Sequence, residues 1–269
     1  MKTHAILILF SVAIVNGVQA EGLSAHDVMQ QVDERYDGDS AVGNSKMILI
    51  DRRDRQRVRD FTLYRIDDGK DSKTLSFFNS PADIEGTAYL NYDWDDQDRD
   101  DDSWLFLPAL QKVKRIAAGD ESDPFLGSDF SYADINGQEF TWYDYSFIKD
   151  SEIVDGQDCW VIEVVPKPEY KEKAEATTGY SKSHTWIRKD NFVQVRAKIW
   201  VIRGDKIKYF SASDLQLIDN VWTPMKLQMI TTKKDKKEHA SIIQVESIKY
   251  NTNVDAGLFT TEVMQRGVN

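Results

Sequence analysis

The sequence predicts a mainly β protein whose antiparallel sheet curls on itself around a partly open interior. Three observations carry this. About a dozen short runs rich in β-branched and aromatic residues follow one another, separated by turn residues. Only one long amphipathic helix accompanies them, which argues against a parallel α/β fold. The apolar strand faces exceed what one helix can cover, so the sheet must fold over itself or leave an apolar concavity, and a partly open barrel does both.

The chain opens with Met1, Lys2, Thr3 and His4, then an apolar run from Ala5 to Val15. That run falls short of the ~20 apolar residues a transmembrane helix needs. It ends in Val18-Gln19-Ala20, the small-x-small pattern of a cleavage site. The expectation is a signal peptide over residues 1–20, cleaved after Ala20, and a soluble mature chain from Glu21. No cysteine stands at the cleavage point, so no lipid anchor is expected there. No Pro/Gly/Ser-rich linker and no internal repeat interrupts residues 21–269, which read as one domain.

The first mature element reads as a helix. Ser24 followed by Asp27 resembles a capping box, with Leu23 placed to staple onto Val28. Val28, Val32 and Tyr36 then recur at helical spacing on one face. Strand-like runs follow at Met47 to Ile50, Val58 to Ile66, Leu75 to Phe78, Ala88 to Tyr92, Trp104 to Leu107 and Phe140 to Phe147. The series continues with Cys159 to Val165, His184 to Arg188, Val193 to Val201, Ile207 to Leu217, Val221 to Thr231 and Ala240 to Tyr250. Asp67-Asp68-Gly69, Asp155-Gly156 and Arg203-Gly204-Asp205 are turn signals between them. Short connections of this kind make hairpins, hence an antiparallel meander. Val193, Val195, Ala197, Ile199 and Val201 alternate with Gln194, Arg196 and Lys198, and Met225, Leu227 and Met229 alternate with Lys226 and Gln228, so each strand has an apolar and a polar face.

Lys and Arg number 34 against 45 Asp and Glu, a net charge of −11. Such a chain repels nucleic acid, whose binding relies on cationic neutralisation of phosphates. Cys159 is the one cysteine; it sits inside an apolar strand run with no local positive charge and reads as a buried small residue. The seven aspartates of Asp93 to Asp102 lack the Gly and the closing Glu of a calcium loop and read as a solvated hairpin loop. The mature histidines His26, His184 and His239 have no zinc-like spacing. No G-x-S-x-G elbow or phosphate loop occurs, although a Ser-His-Asp set needs no fixed spacing and stays open. No enzymatic activity, metal or cofactor is expected.

Two connections stand out: Ser80-Pro81-Ala82-Asp83-Ile84-Glu85-Gly86-Thr87, and the segment Phe125 to Ile135, apolar at Phe125, Leu126, Phe130, Tyr132 and Ile135 yet flanked by loop residues. In the latter, Ser131 and Asp134 can cap a short helical turn. Both segments, through Pro81, Ile84, Phe125, Leu126, Phe130, Tyr132 and Ile135, are candidates for a lid over the barrel mouth. The runs SPADIEGTAYL (Ser80 to Leu90), SWLFLPALQKVKRI (Ser103 to Ile116) and GSDFSYADI (Gly127 to Ile135) resemble, in the same order, the LolA-like outer-membrane lipoprotein-sorting proteins. The resemblance spans roughly Val28 to Phe259. It implies an unclosed antiparallel β-barrel, or strongly curved sheet, with a helical lid over a hydrophobic cavity. It also implies a periplasmic carrier in a Gram-negative bacterium that shields acyl chains of a lipoprotein or other lipid on the way to the outer membrane. The partners it implies are an inner-membrane transporter of the resistance-nodulation-division type and an outer-membrane acceptor, with a monomeric carrier between them. The alternative is a periplasmic binding sensor or accessory adaptor of such a transporter.

The residues expected to line the cavity are Leu75, Phe77, Leu90, Tyr92, Leu105, Trp142, Trp160, Ile162, Val164, Val195, Ile199, Met225, Leu227 and Met229. Their apolar area would shield a chain at ~25 cal/mol per Å2, and the flexible methionines suit varied acyl shapes.

Overall fold

The computed structural model describes residues 22–96 and 99–268. The expected signal peptide therefore lies outside the described residues. In chain order the elements are α1 (Ala25–Asp33), β1 (Ser40–Ile50), β2 (Gln56–Asp68), β3 (Asp71–Ser80), β4 (Ala88–Asp93), β5 (Asp102–Leu107), β6 (Lys112–Ile116) and α2 (Tyr132–Asn136). There follow β7 (Tyr143–Val154), β8 (Gln157–Pro166), α3 (Lys171–Thr178), β9 (Tyr180–Arg188), β10 (Gln194–Val201), β11 (Lys206–Ile218), β12 (Val221–Lys233), β13 (Lys236–Tyr250) and α4 (Thr261–Arg266).

All thirteen strands form one antiparallel sheet, in the order β6-β5-β4-β3-β2-β1-β13-β12-β11-β10-β9-β8-β7. Every neighbouring pair is consecutive in sequence except β1 with β13, which joins the two ends of the chain. Two-residue turns set several registers. Asp155-Gly156, Asp219-Asn220 and Lys234-Asp235 all have positive φ at both positions, the geometry that matches the right-handed twist of a hairpin. The edge strands β6 and β7 do not pair, so the sheet is unclosed. They are consecutive in sequence but at opposite edges, so residues 117–142 must cross between them. That crossing chain carries the lid segment.

The sheet has an apolar inner face and, over part of its width, an apolar outer face. On the inner face Met47, Phe61, Phe78, Tyr89, Leu105, Ile116, Ile199, Met229 and Ile243 form one cluster with Phe125, Phe130 and Tyr132. On the outer face Leu75 opposes Leu90, and Leu90 opposes Trp104; α4 covers this region with Val263 and Met264, and Phe259 precedes it. Helix α1 has the expected capping box, Ser24 and Asp27 each bonding the other's backbone, and packs Val28 against Ile162 and Ile187. Two short helices, α3 and α4, add to the single long one that periodicity reveals. Their sequences, KEKAEATT and TEVMQR, are polar and bury only two residues each, so they carry almost no periodic signal. The run Phe140 to Phe147 begins as a 3-10 turn, and its strand starts at Tyr143.

Candidate functional site

The lid begins as a 3-10 turn at Phe125–Gly127 and ends in α2, whose N-terminus has the expected capping box between Ser131 and Asp134. Phe125, Phe130 and Tyr132 turn inward and are buried; Leu126 and Ile135 pack against them. Phe125 meets Tyr89 and Tyr132 edge-on, at ring centroid distances of 5.2 and 5.4 Å. The other connection, after β3, drops Ile84 into the same cluster, while Pro81 stays exposed at its start.

Two aspartates of the lid pin it to the sheet. Asp129 is buried to 1% of its side-chain surface. It accepts hydrogen bonds from Ser241 (2.7 Å), from Thr231 and from His239 Nδ1, and its own N–H donates to Ser241 Oγ at 2.9 Å. Burial alone would raise its pKa; the bonds from His239, Thr231 and Ser241 outweigh burial and hold it below the ordinary value. Asp134 accepts from Tyr180 Oη at 2.7 Å and pairs with Lys208 at 3.2 Å, and Lys208 also donates to Tyr180 Oη at 2.6 Å. Ser, His and Asp do meet at the first pin, yet Ser241 Oγ donates to the carboxylate and not to an imidazole. A nucleophile–base bond between Ser241 and His239 is therefore not made, and the trio acts as an anchor. Arg59 adds a third tie, from Nη1 to the carbonyl of Leu126 at 2.6 Å.

Between the pinned lid, α1 and the inner face of β8 to β12 lies an open cavity of about 480 Å3. Its sheet wall is Val164, Ile199, Phe210, Leu227 and Met229, with Ala197 and Ala212 small enough to leave room. Phe130 and Ala133 of the lid and Met29 and Val32 of α1 face them. The polar lining comes chiefly from Asp33, Arg35, Gln138, Gln194 and the pinned Asp134. Arg35 Nη1 donates to the carbonyl of Trp222 at 3.2 Å.

Of the residues expected to line a cavity, Val164, Ile199, Leu227 and Met229 stand in this wall. Trp142, Trp160 and Ile162 lie beside it, packed with α1. Leu105 is on the inner face under the lid. Val195 packs with Val154, Cys159 and Val193, and Met225 is half-buried on β12 outside the lining. The structure places Leu75, Phe77, Leu90 and Tyr92 on the outer face with α4, where the Tyr92 hydroxyl bonds the carbonyl of Phe259. Alternation separates two faces but does not say which one looks inward. Arg35, Lys208, His239 and Tyr180 were not foreseen in the site, because their partners lie far away in sequence.

Behind Gly137, Gln138 and Tyr143, in a separate small pocket, a group of carboxyls gathers. Burial, and then the charge of Asp93, push Asp101 up to about 8. Burial also pushes Glu121 and Glu139 up to about 7, with Asp100 and Asp93 respectively adding to it. Among the described residues no group of three or more His, Cys, Asp and Glu is placed to hold a metal ion. Cys159 is fully buried, and burial pushes its thiol up to about 11. No helix among the described residues is long and apolar enough to cross a membrane.

A protein-family model described as "Uncharacterized protein" matches residues 70–266. The chain belongs to that family. Among solved structures it is similar to a domain from Vibrio parahaemolyticus described as an outer membrane lipoprotein-sorting protein, with 26% identity, a TM-score of 0.78, and coverage of 90% of this chain and 98% of that one. A DUF1329 family protein from Desulfovibrio piger is similar at 27% identity and a TM-score of 0.79, over 89% and 97% of the two chains. A LolA superfamily protein from Nitrosomonas europaea shares the fold at 18% identity and a TM-score of 0.66, over 90% and 99%. The fold is LolA-like. Among curated proteins, none matches the sequence.

Proposed function

We propose that this protein is a periplasmic carrier that shields acyl chains in its inner cavity while a lipid or lipoprotein moves toward the outer membrane. The observation that carries the reading is the open, mostly apolar cavity of about 480 Å3 beneath a pinned lid, within the ~300–1,000 Å3 range of ligand sites. The likeness to a lipoprotein-sorting domain supports the same class of cargo. The mature chain, residues 21–269, acts as one exported domain. It takes cargo from an inner-membrane transporter of the resistance-nodulation-division type and delivers it to an outer-membrane acceptor.

Each buried methylene contributes ~0.8 kcal/mol, so ten contribute about 8 kcal/mol. Association costs of ~4–15 kcal/mol offset much of this. The balance holds a chain without trapping it, as handover requires. The reading is therefore one of binding and transfer.

The test is lipid extraction and mass spectrometry of protein purified from its own periplasm, together with titration of a fluorescent fatty acid. Copurified lipid and saturable binding are the expected results. Absence of both would remove the carrier reading. A stable protein partner captured by crosslinking, without any lipid, would favour the adaptor role instead.

A further inference from the structure

If the cavity carries acyl chains, as proposed above, its size and its charge narrow the class of ligand. At about 480 Å3 the cavity lies in the lower half of the ~300–1,000 Å3 range of ligand sites, a size that suits one long chain better than the three of a triacylated anchor. The lid over it is held by Asp129 on Thr231, His239 and Ser241, and by Asp134 on Lys208 and Tyr180.

The charge argument rests on Arg35. In a chain of net charge −11, it is the one cation among the described residues that line the cavity. Lys208 stands nearby, but Asp134 and Tyr180 occupy it. The Arg35 hydrogen bonds run to the carbonyls of Tyr36 and Trp222 through Nη1. A guanidinium has five N–H donors in a planar fork suited to carboxylate and phosphate, so most of its donors remain for a ligand. Asp33 shares this rim. Partial burial, with Glu34 and Asp95 adding to it, raises its carboxyl pKa above the usual value.

The geometry points to a single-chain anionic amphiphile as the ligand, with its tail along Ile199, Phe210, Leu227 and Met229 and its carboxylate or phosphate on Arg35. A fatty acid and a lysophospholipid share this chemistry, and both are included in the test.

The experiment is calorimetric titration of the mature chain with palmitate, lysophosphatidylglycerol, hexadecanol, a diacyl phosphatidylglycerol and a triacylated lipopeptide. Palmitate or lysophosphatidylglycerol is expected to bind at one molecule per chain, and the tighter of the two identifies the headgroup. Hexadecanol, with the same tail and no charge, is expected to bind about tenfold more weakly, the size of one charge-assisted hydrogen bond. Arg35→Gln is expected to remove that tenfold preference and leave hexadecanol binding unchanged, whereas Arg35→Lys retains part of it. The hexadecanol arm also reports whether each variant is folded.

If no acyl compound binds, the carrier reading itself falls. Should the lipopeptide or the diacyl lipid bind as tightly as palmitate, or two palmitates bind per chain, the single-chain assignment is overturned. Equal affinity for palmitate and hexadecanol in the wild type would overturn the role of Arg35.

Discussion

The outer face of β3 to β5 and the inner face of β8 to β12 are both apolar, yet the first is packed under α4 around Leu75 and Leu90, with an open pocket only at its margin by Phe106 and Met264, while the second faces a cavity under the lid. Under α4, Phe259, Val263 and Met264 enter the grooves between Leu75, Leu90 and Phe106, and all six are buried. Over β8 to β12 the lid brings Phe130 and Ala133; it is anchored beside the cavity by the packing of Phe125 and Tyr132 and by the polar contacts of Asp129 and Asp134. The difference teaches how a small domain keeps a cavity. A cover held by apolar packing must fill what it covers, because its stability is proportional to contact. A cover that is also pinned by buried hydrogen bonds to carboxylates can stand off from part of its floor, because that share of its stability is concentrated at a few points.

The largest effect expected is at the filled face. Phe259 is 1% exposed, and Phe259→Ala leaves a cavity that nothing fills, at a cost of about 3–5 kcal/mol. Chemical denaturation should show the loss, and acyl binding by the folded fraction should be intact. Asp129→Ala comes next, at about 3 kcal/mol, since it strands the hydroxyls of Thr231 and Ser241 and the ring of His239. Unlike Phe259→Ala, it should loosen the lid specifically. Limited proteolysis should then cut near Leu126 and Gly127 in the variant while the strands resist. Global unfolding with no selective cleavage would mean that the lid is packed like any core segment.

The buried carboxyls give a smaller effect with a distinctive pH signature. Asp101 is pushed up to about 8 in the folded chain and titrates near ~3.9 when unfolded. Between those values the folded chain holds a proton that the unfolded chain has lost. The stability associated with it is full below pH ~4 and falls as pH rises toward about 8. Asp101→Asn imitates the protonated form, so it should raise the melting temperature at pH 8 and leave it nearly unchanged at pH 4. Asp129 behaves oppositely: its depressed pKa gives stability that is present at neutral pH and lost as pH falls through the folded value. Melting curves across this range would separate the two. A wild-type melting temperature that rises from pH 5 to pH 8, with Asp101→Asn making no difference, would show that Asp101 is not buried as described.

Much of this was legible in the sequence, and the reasons are physical. The capping boxes at Ser24 and Ser131 are local, so three residues suffice to announce them. Strands announce themselves by composition and by turns such as Asp155-Gly156. The faces were less legible. β3 and β4 carry apolar residues on both sides, so Leu75 and Leu90 look no different from Phe78 and Tyr89 as inward candidates; only the folded sheet separates them. That outer apolar face is explained by α4, six residues long and too polar to be noticed. The aspartates of the lid stood in plain view in GSDFSYADI. Their partners His239 and Lys208 lie 110 and 74 residues away, beyond any local pattern.

The comparison is sharpest at two alanines. Ala88 is fully buried on the filled face, opposite Phe77 and Phe106. Ala212 is 4% exposed on the hollow face, opposite Leu227. By burial alone they are equivalent. Ala88→Phe must force its ring among side chains already in contact, which costs about 1–3 kcal/mol. Ala212→Phe has the cavity in front of it, so its ring enters space that a ligand would otherwise occupy. Its stability should stay within about 1 kcal/mol of wild type, while palmitate binding is lost. Ala88→Phe should do the reverse, destabilising the fold and sparing the binding. Thermal melts and palmitate titrations of the two variants therefore read the same substitution in two environments. If Ala212→Phe were as destabilising as Ala88→Phe, the inner face would be as closely packed as the outer one. The cavity would then not be the place where this fold receives its cargo.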